Sequence, residues 1–204
     1  MVGFVFEELA LAEGFTRIAG LDEVGRGCLA GPVVAAAVIL DQSKPLPKGL
    51  NDSKKLTRNQ REEISKEIYE HALAFAVGQV EAGEIDRINI LEATKKAMLL
   101  AIERIIPSPD FLLIDALHLK NTSTNQKSII KGDGISASIA AASVIAKVYR
   151  DELMKKYALE FPEFGFESHK GYGTKQHFTA IRKFGATRIH RKSFKGVLPD
   201  LFGN

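Results

Sequence analysis

Asp22 and Glu23 close a short apolar run, Ile18-Ala19-Gly20-Leu21, and lead straight into Val24-Gly25-Arg26-Gly27. Adjacent carboxylates at the end of a buried segment repel each other and resist desolvation, so they call for a cationic partner. Two more acids share this placement. Asp115 ends Phe-Leu-Leu-Ile-Asp at 111–115, and Asp133 follows Ser-Ile-Ile-Lys-Gly at 128–132. If the strands carrying them are neighbours, at a spacing of ~4.8 Å, the four carboxylates reach a common cation. Oxygen donors with no cysteine or paired histidine favour Mg²⁺ or Mn²⁺ over zinc. Two such ions, roughly 3.5–4 Å apart, can clamp a phosphodiester, activating water on one side and stabilising the leaving oxygen on the other. Strand side chains alternate in direction. Glu23 therefore joins Asp22 only if the strand ends or bulges there, or if Glu23 acts from the far side. Asp133, set in Gly-Asp-Gly, also suits a plain turn.

Two glycine loops accompany these acids. Gly25-Arg26-Gly27 is followed by Pro32 and a β-branched run. A nucleotide-binding loop needs a helix N-terminus behind it, so this one is better suited to close approach of a substrate sugar or phosphate, with Arg26 near a phosphate. His169-Lys170-Gly171-Tyr172-Gly173-Thr174 is the second loop. A tyrosine between glycines can present its ring to a sugar or base, while Lys170 and Lys175 meet phosphates; the alternative is a ring that anchors the loop to the body. Lys54, in the polar turn Asn51-Asp52-Ser53-Lys54-Lys55-Leu56, is a further candidate phosphate contact.

The elements that must position these residues read as follows. Strands are expected at 16–22, 33–40, 74–80, 111–115 and 127–130. The second, Val-Val-Ala-Ala-Ala-Val-Ile-Leu, lacks polar alternation and should be buried on both faces. Thr57 and Gln60 form a capping-box pattern opening a helix with Ile64, Ile68 and Ala72 on one stripe. Asn89 and Glu92 cap a second helix with a stripe of Met98, Leu99, Ile102 and Ile106. A long helix is expected over 136–157, its first half nearly all small residues so that it can lie close to a sheet. A last helix over 174–184 stops at Gly185. Three strands, then alternating helices and strands, then helices, make a mixed α/β sheet with helices on both faces and a helical C-terminal cap. The division expected is 1–160 for the sheet domain and 161–204 for a basic helical extension packed on it.

Composition narrows the setting. The chain has 204 residues, 45% hydrophobic and 26% charged, enough for one sizeable core. Its single cysteine, Cys28, excludes an intrachain disulfide and a cysteine-based zinc site. Met1-Val2-Gly3-Phe4 lacks the basic start and apolar stretch of a signal peptide. The longest apolar run, Leu29–Leu40, has 12 residues and includes Gly31 and Pro32; a membrane span needs roughly 18 or more. A cytoplasmic protein is expected, with no membrane partner, and with no heptad or apolar stripe to argue against a monomer. Net charge is +3, but residues 165–204 carry eight Lys/Arg against two acids. They also carry His169, His177 and His190. A basic tail beside an acidic body suits a polyanion held over a metal site.

Together these segments resemble the type 2 ribonuclease H family (ribonuclease HII). The similarity rests on IAGLDEVGRGCLAGPVVAAAV at 18–38, NDSKKL at 51–56, INILEATKKAM at 88–98, LLID at 112–115, KGDGISASIAAASVIAKVYRD at 131–151, HKGYGT at 169–174 and HRKSF at 190–194. It spans nearly the whole chain, in order. The resemblance implies a ribonuclease H-like fold: a mixed five-stranded sheet flanked by helices, with a C-terminal helical extension. It implies an endonuclease acting on the RNA strand of RNA–DNA hybrids and on single ribonucleotides in duplex DNA, leaving 5′-phosphate and 3′-hydroxyl ends. Asp22, Glu23, Asp115 and Asp133 would form the catalytic, Mg²⁺- or Mn²⁺-binding quartet. Gly25, Arg26 and Gly27 would read the ribose 2′-hydroxyl, and Tyr172 would stack on the deoxyribose beyond it. Ala116 departs from the glycine common at that position, which puts the strand-end geometry in question. No obligate protein partner is implied, and Leu198–Phe202, with one aromatic and no glutamine, makes no convincing clamp-binding peptide. The residues alone leave open an RNA-binding module without catalysis, a nucleotide-hydrolysing enzyme and a DNA-specific nuclease.

Overall fold

The computed structural model describes residues 2–198, so most of the Leu198–Phe202 segment lies outside the described residues. Five strands form one sheet in the order β3-β2-β1-β4-β5. They are β1 (Ile18–Val24), β2 (Val33–Leu40), β3 (Ala72–Val80), β4 (Phe111–Asp115) and β5 (Asn125–Ile129). β1–β2 and β2–β3 are antiparallel, while β1–β4 and β4–β5 are parallel. All eight residues of β2 are buried, as its unbroken apolar run predicts. β5 starts two residues before the expected strand and buries only Ile129 fully, because an edge strand needs little apolar alternation.

The helices are α1 (Val5–Ala12), α2 (Arg58–His71), α3 (Ala82–Ile88), α4 (Ile90–Arg104), α5 (Ala137–Glu160), α6 (Phe166–His169) and α7 (Lys175–Phe184). The Thr57–Gln60 capping box is formed in full. Asn89 caps α4 by accepting from Leu91 and Glu92 N–H. Two stripe residues fall elsewhere: Ala72 opens β3, and Ile106 lies past the end of α4, 84% exposed. The chain leaves α4 before Pro107 because the residue preceding a proline disfavours helical backbone. Neither α1 nor α3 has a side-chain N-cap, the signal that would have announced them.

α5 and α4 cover opposite faces of the sheet, and a glycine sets the distance on each. A Cβ on Gly20 of β1 would lie 2.0 Å from the Ser138 carbonyl carbon, and one on Gly78 of β3 would lie 2.1 Å from the Ala97 oxygen. The small residues Ala137, Ala140, Ala141 and Ser143 therefore rest almost on the backbone of β1 and β2. α1 tucks Glu7 beneath the start of α5. There the buried carboxylate accepts from the Ser136 hydroxyl at 2.7 Å and the Ser138 N–H at 2.8 Å, a favourable place for negative charge at a helix N-terminus. Beyond α5, residues 164–197 close a separate core against Leu29, Ala30 and Met154. No helix among the described residues is long and apolar enough to cross a membrane.

Candidate active site

β1 and β4 run parallel with Leu21 opposite Ile114, both in the core on the α4 side. One step further along each strand, Asp22 and Asp115 therefore stand side by side on the α5 face. Glu23 lies one more step on, opposite Ala35. β1 continues unbroken to Val24, so Glu23 belongs to the far side and lies beyond the end of β4. Asp133 arrives from the 3₁₀ turn Gly132–Gly134 just ahead of α5. That turn is tied to β4 by the Gly132 N–H, which donates to Asp115 Oδ1 at 2.8 Å. Ala116, immediately after Asp115, has φ +50°. This left-handed backbone is why glycine would suit the position.

The charges interact. Asp22 is 3% exposed, and burial first, then repulsion from Glu23 and Asp115, pushes its carboxyl well above the usual range, against the hydrogen bond from Ser143. Burial raises Glu23, with Arg26 pulling the other way and Asp115 adding to the rise. Burial also raises Asp115; the Gly132 N–H opposes it, and Asp133 and Asp52 add repulsion. Arg26 pairs with Glu23 at 3.3 Å and Lys54 with Asp133 at 3.3 Å. Among the described residues no lysine or arginine pairs with the central Asp22 and Asp115.

That donor set fits a hard divalent cation. It is all oxygen, and its inner members are short of positive charge. The described residues contain no group of three acids, histidines or cysteines already gathered closely enough to form a finished metal cage, as expected of carboxylates that repel one another when bare.

Several contributors escaped the sequence reading. Ser143 on α5, whose hydroxyl opposes the rise in the Asp22 pKa, is joined by that hydroxyl to the one of Ser53 at 2.8 Å. Arg61 fixes the same turn by donating to the carbonyls of Ser53 and Leu56. Lys54 is thus held opposite Asp133, though its side chain is 75% exposed. Burial of its stem works against the charge, but Asp133 and Asp22 outweigh it and raise its pKa.

The two glycine loops meet. Cys28 and Tyr172 form an antiparallel bridge, and Leu29 N–H donates to the Gly171 carbonyl at 2.8 Å. Two buried arginines clamp them. Arg150 donates to the carbonyls of Pro32, Ala30 and Lys170. Arg191 donates to Gly31 and Arg26. Gly25, at φ +92°, turns where a Cβ would strike Arg150 Nε at 2.3 Å, while a Cβ on Gly27 would meet nothing within 4 Å. Gly25 is thus fixed by the protein's own packing, and Gly27 leaves open space. Tyr172 is 43% exposed, so its ring does not serve as a buried anchor. Lys170 turns back, its Nζ donating to the Glu167 carbonyl at 2.7 Å.

The basic C-terminal segment also differs from its expected form. Arg191 is fully buried, Arg188 pairs with Glu160 at 2.6 Å, and His169, His177 and His190 are all buried. A charge count cannot tell a cation turned inward onto carbonyls from one facing a ligand.

A sequence profile of the family described as ribonuclease HII matches residues 19–197. Curated relatives named ribonuclease HII include one from Ruminiclostridium cellulolyticum, 53% identical over 93% of this chain and 74% of its own length. Another, from Bacillus subtilis, is 54% identical over 94% of this chain and 74% of its own. Among solved structures, ribonuclease HII in its complex with PCNA from Archaeoglobus fulgidus superposes with a TM-score of 0.74 at 27% identity, covering 88% of this chain and 96% of that one. Ribonuclease H2 from Pyrococcus horikoshii shares the fold, with a TM-score of 0.73 at 24% identity, covering 89% of this chain and 95% of that one. The profile match and the curated relatives establish what the strand-end acids and paired loops suggest: this chain belongs to the ribonuclease HII family and is a nuclease of the ribonuclease H type.

Proposed function

We propose that this protein is an endonuclease that hydrolyses the RNA strand of RNA–DNA hybrids and cuts 5′ to single ribonucleotides embedded in duplex DNA, leaving 5′-phosphate and 3′-hydroxyl ends. The observation that carries this reading is the meeting of Asp22 and Asp115 at the ends of adjacent parallel strands, next to two loops zipped into one surface. Asp22, Glu23, Asp115 and Asp133 would hold Mg²⁺ or Mn²⁺. Bound there as a pair, these ions supply Lewis-acid stabilisation of the scissile phosphate and a water nucleophile.

The chain's own residues do the rest. Ser143 eases the charge on Asp22, and the Gly132 N–H orients Asp115. Arg26 and Lys54 sit on the outer acids, Glu23 and Asp133, where each can move to a substrate phosphate once the acids gain other positive charge. The open space at Gly27 admits a ribose edge to the backbone, where a 2′-hydroxyl separates RNA from DNA. Tyr172 offers its exposed ring to the next sugar. Lys170 holds its loop rather than a phosphate in this conformation. From residue 161 to the end of the described chain, the segment serves as an extension that completes this surface, and the exposed lysines of α7 meet the duplex backbone. The cytoplasm is the compartment for such a substrate, and a monomer suffices.

The test is a duplex carrying one ribonucleotide, incubated with Mg²⁺, Mn²⁺ or a chelator, beside an all-DNA duplex and ATP. Cleavage on the 5′ side of the ribonucleotide, dependent on metal, supports the reading. Cleavage of the all-DNA duplex, or hydrolysis of ATP alone, refutes it.

A further inference from the structure

Three buried histidines stand behind the Tyr172 loop, and the acids at the strand ends do not use them. Their hydrogen bonds form an ordered chain. Thr187 N–H donates to His190 Nδ1 at 2.9 Å, so that nitrogen is the acceptor and the proton of His190 sits on Nε2. His190 Nε2 lies 3.0 Å from His177 Nε2, which must then accept. The proton of His177 is left on Nδ1, 2.9 Å from the Tyr172 carbonyl. Each ring nitrogen has one role, and the assignment is consistent only if both rings are neutral. His169 stacks on His177 with centroids 4.5 Å apart, and it ties Gly171 N–H to the Phe164 carbonyl through its two nitrogens. Phe164 and Phe166 pack against the rings of His177 and His190.

We infer that His177, oriented by His190, is a positioning residue that fixes the Tyr172 backbone and so aims the exposed tyrosine ring at the ribonucleotide–deoxyribonucleotide junction. The inference rests on the proposed junction-cutting activity and deepens it. Gly171 is held by Leu29 and by His169, and the Lys170 carbonyl by Arg150. Apart from the local turn bond from Thr174 N–H, the Tyr172 carbonyl is held by His177. Burial pushes His177 and His190 both down to about 4, so the rings remain neutral acceptor and donor near pH 7.

The test compares His177→Phe, which keeps a stacking ring but no donor, with His177→Gln, which keeps a donor. In His177→Phe, amide exchange at residues 171–174 should quicken about tenfold, the scale of one lost hydrogen bond, with the β1 and β2 amides unchanged. Its KM for a single-ribonucleotide duplex should rise by a similar factor, with kcat and long-hybrid cleavage within about twofold of the parent. His177→Gln should restore most of both. Nitrogen-15 shifts of the parent should report His177 protonated at Nδ1 and His190 at Nε2. The opposite tautomer, unchanged exchange at 171–174, or equal losses on both substrates would overturn the positioning role. If the parent itself fails to cut at the junction, the proposed activity falls, and the exchange and tautomer results still decide whether His177 fixes the loop.

Discussion

The strand-end acids and the histidine-backed loop lie at two ends of one surface, and they solve opposite electrostatic problems. At the acids, Asp22, Glu23 and Asp115 all have raised proton affinity, and among the described residues no lysine or arginine pairs with the inner two. At the loop, every histidine nitrogen has a partner, and two buried arginines spend their donors on backbone carbonyls. The first region is under-satisfied and draws in positive charge. The second is saturated and holds a shape. Division of labour follows: the acidic end is built for chemistry, the neutral end for alignment.

The largest effect should come from removing acid at the first region. Asp22→Asn or Asp115→Asn should lower cleavage by at least about a thousandfold, as losing a key charge-stabilising group does. The metal-free protein should melt at the same temperature or higher, since mutual repulsion is relieved. A destabilised, still active Asp115→Asn protein would contradict the comparison. Acid should act chiefly on the second region. His177 and His190 are depressed in the fold to about 4 from roughly 6.5 in the unfolded chain. The unfolded state therefore binds more protons between these values, and stability falls as pH drops from 6.5 through 4. The loss should total a few kcal/mol, read by denaturant titration at several pH values. His177→Phe/His190→Phe should flatten that slope.

Gly20→Ala should destabilise by about 1–3 kcal/mol through overpacking, because its new methyl meets the Ser138 backbone. Activity should fall with it, since Asp22 lies two residues further along the same strand. Lys175→Ala combined with Lys183→Ala should lessen the slope of log binding against log salt by roughly two, with kcat unchanged. An unaltered slope would remove α7 from the duplex grip. Smallest of all, Ala116→Gly should relieve the left-handed backbone at φ +50°. The gain is at most about 1 kcal/mol, offset in part by the freer unfolded chain.

Much of this was legible in the residues. β2 announced itself by eight apolar positions, α2 and α4 by their caps, and the acids by ending apolar runs. The nearness of Asp22 to Asp115 was readable only conditionally, because it depends on β1 and β4 being neighbours across some ninety residues. For Glu23 the residues left alternatives open, a strand end or bulge against action from the far side, and pairing of β1 with β2 continues through it to Val24. Ser53, Ser143 and Arg150 were not legible as contributors. A serine or arginine inside a helix or turn carries no mark of what it faces until tertiary packing supplies a partner. The three histidines and Arg191 misled for the same reason, since composition counts a charge wherever it points.

Glu7 adds a consequence of another kind. Its bond to Ser138 joins residues 131 positions apart, a loop whose closure is entropically unfavourable and rewarded only when both ends are in place. The helix that bears Glu7 precedes α5 by more than a hundred residues, so this contact cannot form until α5 is made. Its docking completes the support beneath the turn that bears Asp133.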